Sequence, residues 1–358
     1  MKKYISGLLE KNIIAIDIGT YSIKIVEGSH NVNTVQINKM VTVPTPADTF
    51  YNGEITDRKK IEQIIAETLI RENIKAKNAA FTLESTEAIS REIVLPWAKP
   101  RELEQIIGFE VEQYLPIEMD KYILQYKIID EFEEEGVKKV TVLVVALPME
   151  ISKNYLDLGK NAGLTPYYLD IHSNTVHKLL LPKTVVNDSY PLEEQTIAAI
   201  DLGHQFINVT VINKGLFEFS RLLNKGGRDI DIGISGLFNL SLEEAETRKK
   251  EIKNINRDTE QDSSAMLITI VEETVLNWLD EIQKVFMYYT SRSTDNVIDS
   301  ICIYGGSSDI EGISTYIQEF FNMPTFRINS LSNIKFNNNP EGASVSNYIN
   351  AIGAIIRR

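Results

Sequence analysis

Ala15-Ile16-Asp17-Ile18-Gly19 is followed four residues on by Ile23. Far along the chain the string returns as Ala199-Ile200-Asp201-Leu202-Gly203, with Ile207 again four residues on. Two copies so far apart are no solenoid period; they read as a duplicated domain, one copy in each of two lobes. Each copy predicts a strand, a tight glycine turn and a returning strand. Glycine suits the turn because it adopts backbone angles that other residues resist and lets main chain approach a ligand closely. An aspartate at the end of an apolar strand is costly to bury unless something pairs it. One shared cation would account for both Asp17 and Asp201. Mg²⁺ suits this, since it takes few carboxylates and keeps waters and phosphate oxygens. Backbone N–H groups in the turns would cradle phosphates as an anion nest. The plainer alternative is a pair of ordinary Asp-initiated hairpins, and the repeated string favours the shared site.

The chain has 358 residues, enough for two or three cores. Its net charge of -13, with no basic patch to override it, argues against nucleic acid and anionic lipid as partners. A lone cysteine, Cys302, excludes an internal disulfide and a Cys-based metal site. The longest apolar run, residues 142–149, is too short to cross a bilayer. Residues 1–12 lack the apolar stretch and cleavage site of a secretory leader. Together these predict a cytoplasmic protein.

Two further glycine pairs follow the second copy. Ile301 to Tyr304 reads as a strand running into Gly305-Gly306-Ser307-Ser308, where paired glycines leave room for a flat base against the backbone, with a helix over residues 311–321. Gly226-Gly227 follows a strand over residues 216–221. Ser241-Leu242-Glu243-Glu244 reads as a capping box, and the helix it starts carries Glu246 and Lys249 on one face. On residue type alone, Glu246 and Lys249 read as a solvated ion pair.

With these pieces in order, the chain resembles the actin, hexokinase and bacterial chaperone-type ATPase superfamily. Within it, the chain is most similar to the PilM family of type IV pilus assembly proteins, a resemblance that spans residues 12–358. The matching stretches include Ile16-Asp17-Ile18-Gly19 with Ser22, Lys24 and Glu27, then Asn52-Gly53-Glu54-Ile55-Thr56-Asp57 and Glu110-Val111-Glu112-Gln113-Tyr114-Leu115-Pro116. Val144-Val145-Ala146-Leu147-Pro148 and Lys160-Asn161-Ala162-Gly163-Leu164 continue the match, and the final helix, with Ala351-Ile352-Gly353-Ala354, looks like the superfamily's second connecting helix.

The resemblance implies an actin-like (ribonuclease H-like) α/β fold that binds ATP and Mg²⁺. Asp17 and Asp201 would hold the metal through water. Gly19, Thr20, Tyr21, Ser22 and Lys24 would line one side of the phosphates, and Gly203, His204 and Gln205 the other. Gly226, Gly227, Glu246 and Lys249 would meet ribose and adenine, with Gly305, Gly306 and Ser307 behind the adenosine. His204 departs from the small residue common at its place. The connecting stretch Asp170-Ile171-His172-Ser173-Asn174-Thr175 offers no firm water-positioning residue, so at most a slow ATPase is implied.

The same resemblance divides the chain. Residues 12–80, with 165–190 and 341–358, form subdomain 1A. Residues 81–164 form an inserted α+β subdomain, 1C, of the kind shared with FtsA. Residues 191–225, with 295–340, form 2A, and 226–294 form 2B. In the insert, residues 101–114 read as an amphipathic helix stopped by Pro116, residues 122–128 as an alternating strand, and 130–135 as an acidic turn. In 2B, residues 266–289 read as a long helix with Val271, Val275, Trp278, Ile282 and Phe286 on one face. Residues 254–264 and the Asn-rich 329–340 read as loops.

Family members of this kind take a short cytoplasmic peptide of the inner-membrane protein PilN between insert and first lobe. The expected function is therefore an ATP-binding scaffold at the inner face of the membrane, held there by partners. Other pilus-machine components and further copies of the chain are compatible partners. An FtsA-like division scaffold would want a terminal amphipathic helix, and a phosphotransferase would want a base facing a substrate cleft; neither feature is present in the sequence.

Overall fold

A computed structural model describes residues 12–32, 34–114, 118–252, 254–255, 263–337 and 344–357. The leader reading of residues 1–12, the loop of residues 254–264 and the stop at Pro116 lie wholly or mostly outside the described residues. Ile13–Ile18 is a strand buried at every position. Burial on both faces explains its unbroken apolar run. Ser22–His30 returns antiparallel to it, and Asn78–Leu83 lies parallel on its other side. The second copy repeats this plan. Thr196–Leu202 has Ile207–Asn213 antiparallel on one side and Ser300–Tyr304 parallel on the other.

The correspondence extends one strand further on each flank. The first sheet adds Val35–Pro44 beyond the hairpin and Thr165–Ile171 beyond the parallel strand. The second adds Leu216–Leu223 and Thr325–Arg327 in the same places. The first sheet also carries a sixth strand, Ile334–Phe336, parallel to Val35–Pro44. This corrects two expectations. Part of the Asn-rich stretch is strand, and residues 334–336 join the first lobe although the 295–340 segment was assigned to the second. The cause is local: Val35, Ile37 and Ile334 are buried together, and the new strand pairs an otherwise open sheet edge.

Between the sheets lie two short helices, His172–Leu179 and Ile349–Ile355. A Cβ on Gly353 would come within 2.2 Å of the Thr175 carbonyl oxygen, so only glycine permits their close crossing. Their core joins residues of both sheets, from Ala15 and Val26 to Ile197 and Cys302. The second lobe has its own core, built on Gly227–Phe238 and the long helix Ser263–Ser291, with Val271, Val275, Trp278, Ile282 and Phe286 inward as the spacing predicts. No helix among the described residues is long and apolar enough to cross a membrane.

The insert has a separate small core of Leu95, Leu103, Ile107, Val111, Val140, Val142 and Val144. Its helix, Pro100–Tyr114, covers a three-stranded sheet of Ile89–Pro96, Tyr122–Glu134 and Val137–Pro148. The acidic run is strand as far as Glu134, and only Glu135-Gly136 makes the turn. Opposed Glu133–Lys138 register and a Glu134–Lys139 ion pair explain why those acids tolerate a ladder.

The insert meets the second lobe where Ile89–Pro96 and Tyr122–Glu134 touch Leu216–Leu223. At this seam one oxygen of Glu92 is buried without a hydrogen-bond partner. Burial, then neighbouring Glu218, against Arg292, pushes its carboxyl up to about 7. Its folded value lies above the ordinary one, so the fold favours the protonated form. The cost of ionising it therefore grows as pH rises from about 4.5 to 7. Glu92→Gln is expected to stabilise the protein by about 1 kcal/mol at pH 8, discounted for its partial exposure, and to be neutral at pH 5. Urea melts at the two pH values measure this; an equal effect at both would refute the assignment.

Candidate functional site

The two copies of the hairpin turn face each other across a cleft of about 530 Å³. Each turn is closed by the same main-chain bond, Gly19 N–H to the Ser22 carbonyl and Gly203 N–H to the Phe206 carbonyl, both at 3.1 Å. The sequence string therefore encodes two equivalent turns. They also touch: Thr20 Oγ1 and His204 Nδ1 are 2.9 Å apart, and the Tyr21 and His204 rings are 5.5 Å apart.

Asp17 and Asp201 end their strands buried, as expected, at 2% and 7% exposure. One side chain that reaches both was not singled out from the sequence. His172, the first residue of its helix, places Nε2 3.0 Å from Asp17 Oδ1 and Nδ1 3.7 Å from Asp201 Oδ2. Its Nδ1 is also 3.5 Å from Glu84 Oε2. Lys24 Nζ lies 3.5 Å from the other Asp17 oxygen, Asn350 donates to Asp201 Oδ2 at 2.6 Å, and Asn208 donates to Glu84 at 2.6 Å. Three carboxylates are thus gathered around one imidazole.

The protonation pattern follows from this crowding. Burial would raise the Asp17 carboxyl, but Lys24 and His172 outweigh it and hold it down at about 2. Burial opposes charge on His172, yet Asp17 foremost, then Glu84 and Asp201, lift it to about 9. Burial pushes Glu84 up to about 7, against His172 and the Asn208 hydrogen bond. Asp201 is likewise raised by burial, against His172 and Asn350. At neutral pH the centre holds an imidazolium between carboxylates of unequal acidity.

Behind the second turn, Gly305 takes φ +86°, and a Cβ there would sit 2.1 Å from Asp201 Oδ1. Gly306 and Ser307 line the same wall, and Ser307 Oγ donates to the Gly203 carbonyl at 3.4 Å. Gly226 is the one expected contact residue that does not line the cleft. It packs instead under the second turn, where a Cβ would meet the His204 carbonyl oxygen at 2.5 Å. The next amides, Gly227 N–H and Arg228 N–H, donate to the Gly203 and His204 carbonyls at 2.9 and 2.8 Å.

Glu246 and Lys249 both line the cleft but find other partners. Lys249 pairs with buried Asp231 at 2.7 Å, and Glu246 with Lys250 at 3.0 Å. Lys250 reaches across the mouth and donates to the Tyr21 hydroxyl at 2.7 Å. Gly19, Ser22, Lys24, Gly203 and Gln205 all line the cavity.

Chemically, the cleft offers hard oxygen donors at its floor and glycine-turn amides and lysines at its sides. Among the described residues no group of three His, Cys, Asp or Glu side chains is arranged to hold a metal directly. A divalent cation at Asp17 and Asp201 would keep its water shell, which suits Mg²⁺.

Comparison with known proteins places this arrangement. The family model described as "Type IV pilus assembly protein PilM" matches residues 15–358. Among solved structures, a "PilM-PilN type IV pilus biogenesis complex" superposes with a TM-score of 0.81 at 18% identity, covering 96% of this chain and 97% of that one. The ethanolamine utilization protein EutJ from Carboxydothermus hydrogenoformans gives a TM-score of 0.57 at 13% identity, over 97% of this chain and 89% of that one. MreB 5 of Spiroplasma citri bound to AMPPNP gives 0.50 at 13% identity, over 96% and 95%. The two-lobed fold is the actin-like one, as the sequence resemblance implied. A match over nearly the whole length, onto a duplicated hairpin cleft with an inserted α+β module, means that this chain belongs to the PilM family of type IV pilus assembly proteins.

Proposed function

We propose that the chain is an ATP-binding scaffold of pilus assembly that docks a short N-terminal peptide of a PilN-like inner-membrane protein. The observation that carries the nucleotide half is the pair of equivalent glycine turns closing on one cavity, each preceded by a buried aspartate. The relative solved as a PilM-PilN complex supports the docking half, and the one bound to AMPPNP the nucleotide half. Mg²⁺ would be held by Asp17 and Asp201 through water, and would neutralise phosphate charge that the cleft's own carboxylates repel. Lys24, Lys249 and the turn amides would orient the phosphates. Gly305-Gly306 would back the adenosine.

Slow turnover, at most, fits the geometry. His172, in the stretch that offers no firm water-positioning residue, is held by carboxylates on three sides. The family match over residues 15–358, and not the site alone, makes a phosphotransferase the less supported reading. The work of the site is then binding, with the chain on the cytoplasmic face of the membrane through its partner. Subdomain limits would follow the sequence assignment, with residues 334–336 moved to the first lobe.

Titration of the full chain with ATP, with and without Mg²⁺, and capture on an immobilised PilN N-terminal peptide test the proposal. Binding of ATP that strengthens at least tenfold with Mg²⁺, and retention on the peptide, are expected. No ATP binding removes the nucleotide half, and no retention in either condition removes the docking half.

A further inference from the structure

The insert does not merely hang from the first lobe. The chain leaves the strand Asn78–Leu83 and enters Ile89–Pro96 through residues 84–88. That five-residue root begins inside the cleft. Glu84 accepts from Asn208 of the second lobe at 2.6 Å and lies 3.5 Å from His172. Ser85 is buried, and its Cβ stands 2.7 Å from where a side chain on Gly53, at φ +80°, would begin. Thr86 is gripped twice by Asn52: its N–H donates to Asn52 Oδ1 and its hydroxyl accepts from Asn52 Nδ2, both at 2.8 Å. Asn52 N–H in turn donates to Gln205 Oε1, in the second turn, at 3.4 Å.

The root is therefore tied to the second lobe at two points, Glu84 to Asn208 and Thr86 through Asn52 to Gln205. Glu84, Asn52, Gln205 and Asn208 all line the cavity. A ligand that fills the space between the turns would contact these four side chains and so compete for their bonds. The strand Ile89–Pro96 starts three residues after Thr86 and is paired along its whole length with Val137–Pro148. A shift of the root would pass to the whole three-stranded sheet. A second tie, Lys127 Nζ to Asn174 Oδ1 at 3.5 Å, joins that sheet to the helix that begins with His172.

We propose that residues 84–86 couple the cleft to the insert, so that nucleotide phosphates entering between the turns release the root from Asn208 and Gln205 and alter how the insert is held. This rests on the nucleotide reading above. Coupling of this kind is reciprocal: a peptide seated on the insert would change nucleotide affinity by the same factor. It needs a two-state element, and the bonded and released forms of Glu84 supply one.

Amide hydrogen exchange on the full chain tests it. In the wild type, MgATP is expected to change exchange in Ile89–Pro96 and Tyr122–Glu134 by about threefold or more. Glu84→Ala without nucleotide should already show the ATP-like pattern there. Thr86→Ala, whose side chain lies outside the cavity, should weaken the ATP-driven change. ATP binding with no change in those strands would overturn the coupling while leaving the nucleotide reading intact. Glu84→Ala exchange identical to wild type would overturn it too. Absence of ATP binding would defeat both readings, and direct titration distinguishes that case.

Discussion

Gly305→Ala is expected to destabilise the protein by about 3 kcal/mol and to abolish nucleotide binding. Two costs combine. The residue sits at φ +86°, a region costly for any residue with a Cβ. The new methyl would also lie 2.1 Å from Asp201 Oδ1 and 3.0 Å from the Leu202 carbonyl oxygen. Neither neighbour can yield: one is main chain, and the other is a buried carboxylate held by Asn350. Relief would come only by moving the wall of the cleft. Gly306→Ala is the matched control, since a Cβ there meets nothing within 4 Å. Denaturant melts should separate the two variants clearly; equal melts would refute the steric account.

Asp17→Ala has the second large effect, an expected loss of about 3–5 kcal/mol and at least a hundredfold in MgATP affinity. The carboxylate answers two cations, His172 at 3.0 Å and Lys24 at 3.5 Å, and its removal leaves both without it. Asp17→Asn keeps the shape and isolates the charge. In metal-free protein the sign can be followed with pH. The Asp17 carboxyl sits at about 2, below its ordinary 3.8, so its contribution is full above about 4 and fades as pH falls towards 2. His172 is lifted to about 9 from 6.5, with burial opposing and Asp17 the leading favourable cause. Its contribution is full below about 6.5 and fades as pH rises through 9. The gap between wild type and Asp17→Asn should thus be widest from pH 4 to 7 and shrink on both sides. Urea melts in chelator across pH 3 to 10 measure it, and a flat gap would contradict the buried pairing.

The framework was legible in the sequence because its signals are local and repeated. One string encodes a strand, a carboxylate and a turn, and it occurs twice. The long helix Ser263–Ser291 and the insert's helix announced themselves by periodicity. Glu84, His172 and Asn350 did not. None belongs to a repeated or periodic pattern, and the role of each exists only after remote segments converge. The available hints were faint: His172 lies in the polar run that opens the connecting helix, and Asn350 precedes the small-residue face of Ala351, Gly353 and Ala354. The strand Ile334–Phe336 was hidden for a different reason. Three residues flanked by asparagines carry no period, and only the open edge beside Val35–Pro44 gives them a partner. Gly226 misled in the other direction, since a glycine pair near a cleft can serve packing as well as contact.

The helix Ile349–Ile355 carries a consequence for biosynthesis. Asn350, which secures Asp201, lies 149 positions further along the chain. At about 5–20 residues per second, a ribosome makes the aspartate on the order of ten seconds before its partner. Through that interval the nascent chain leaves the Asp201 carboxylate without Asn350 and exposes the apolar face of the first sheet that the helix will later cover. The cleft can be completed only after Asn350 has been translated, which makes this half-built state the natural client of a holding chaperone.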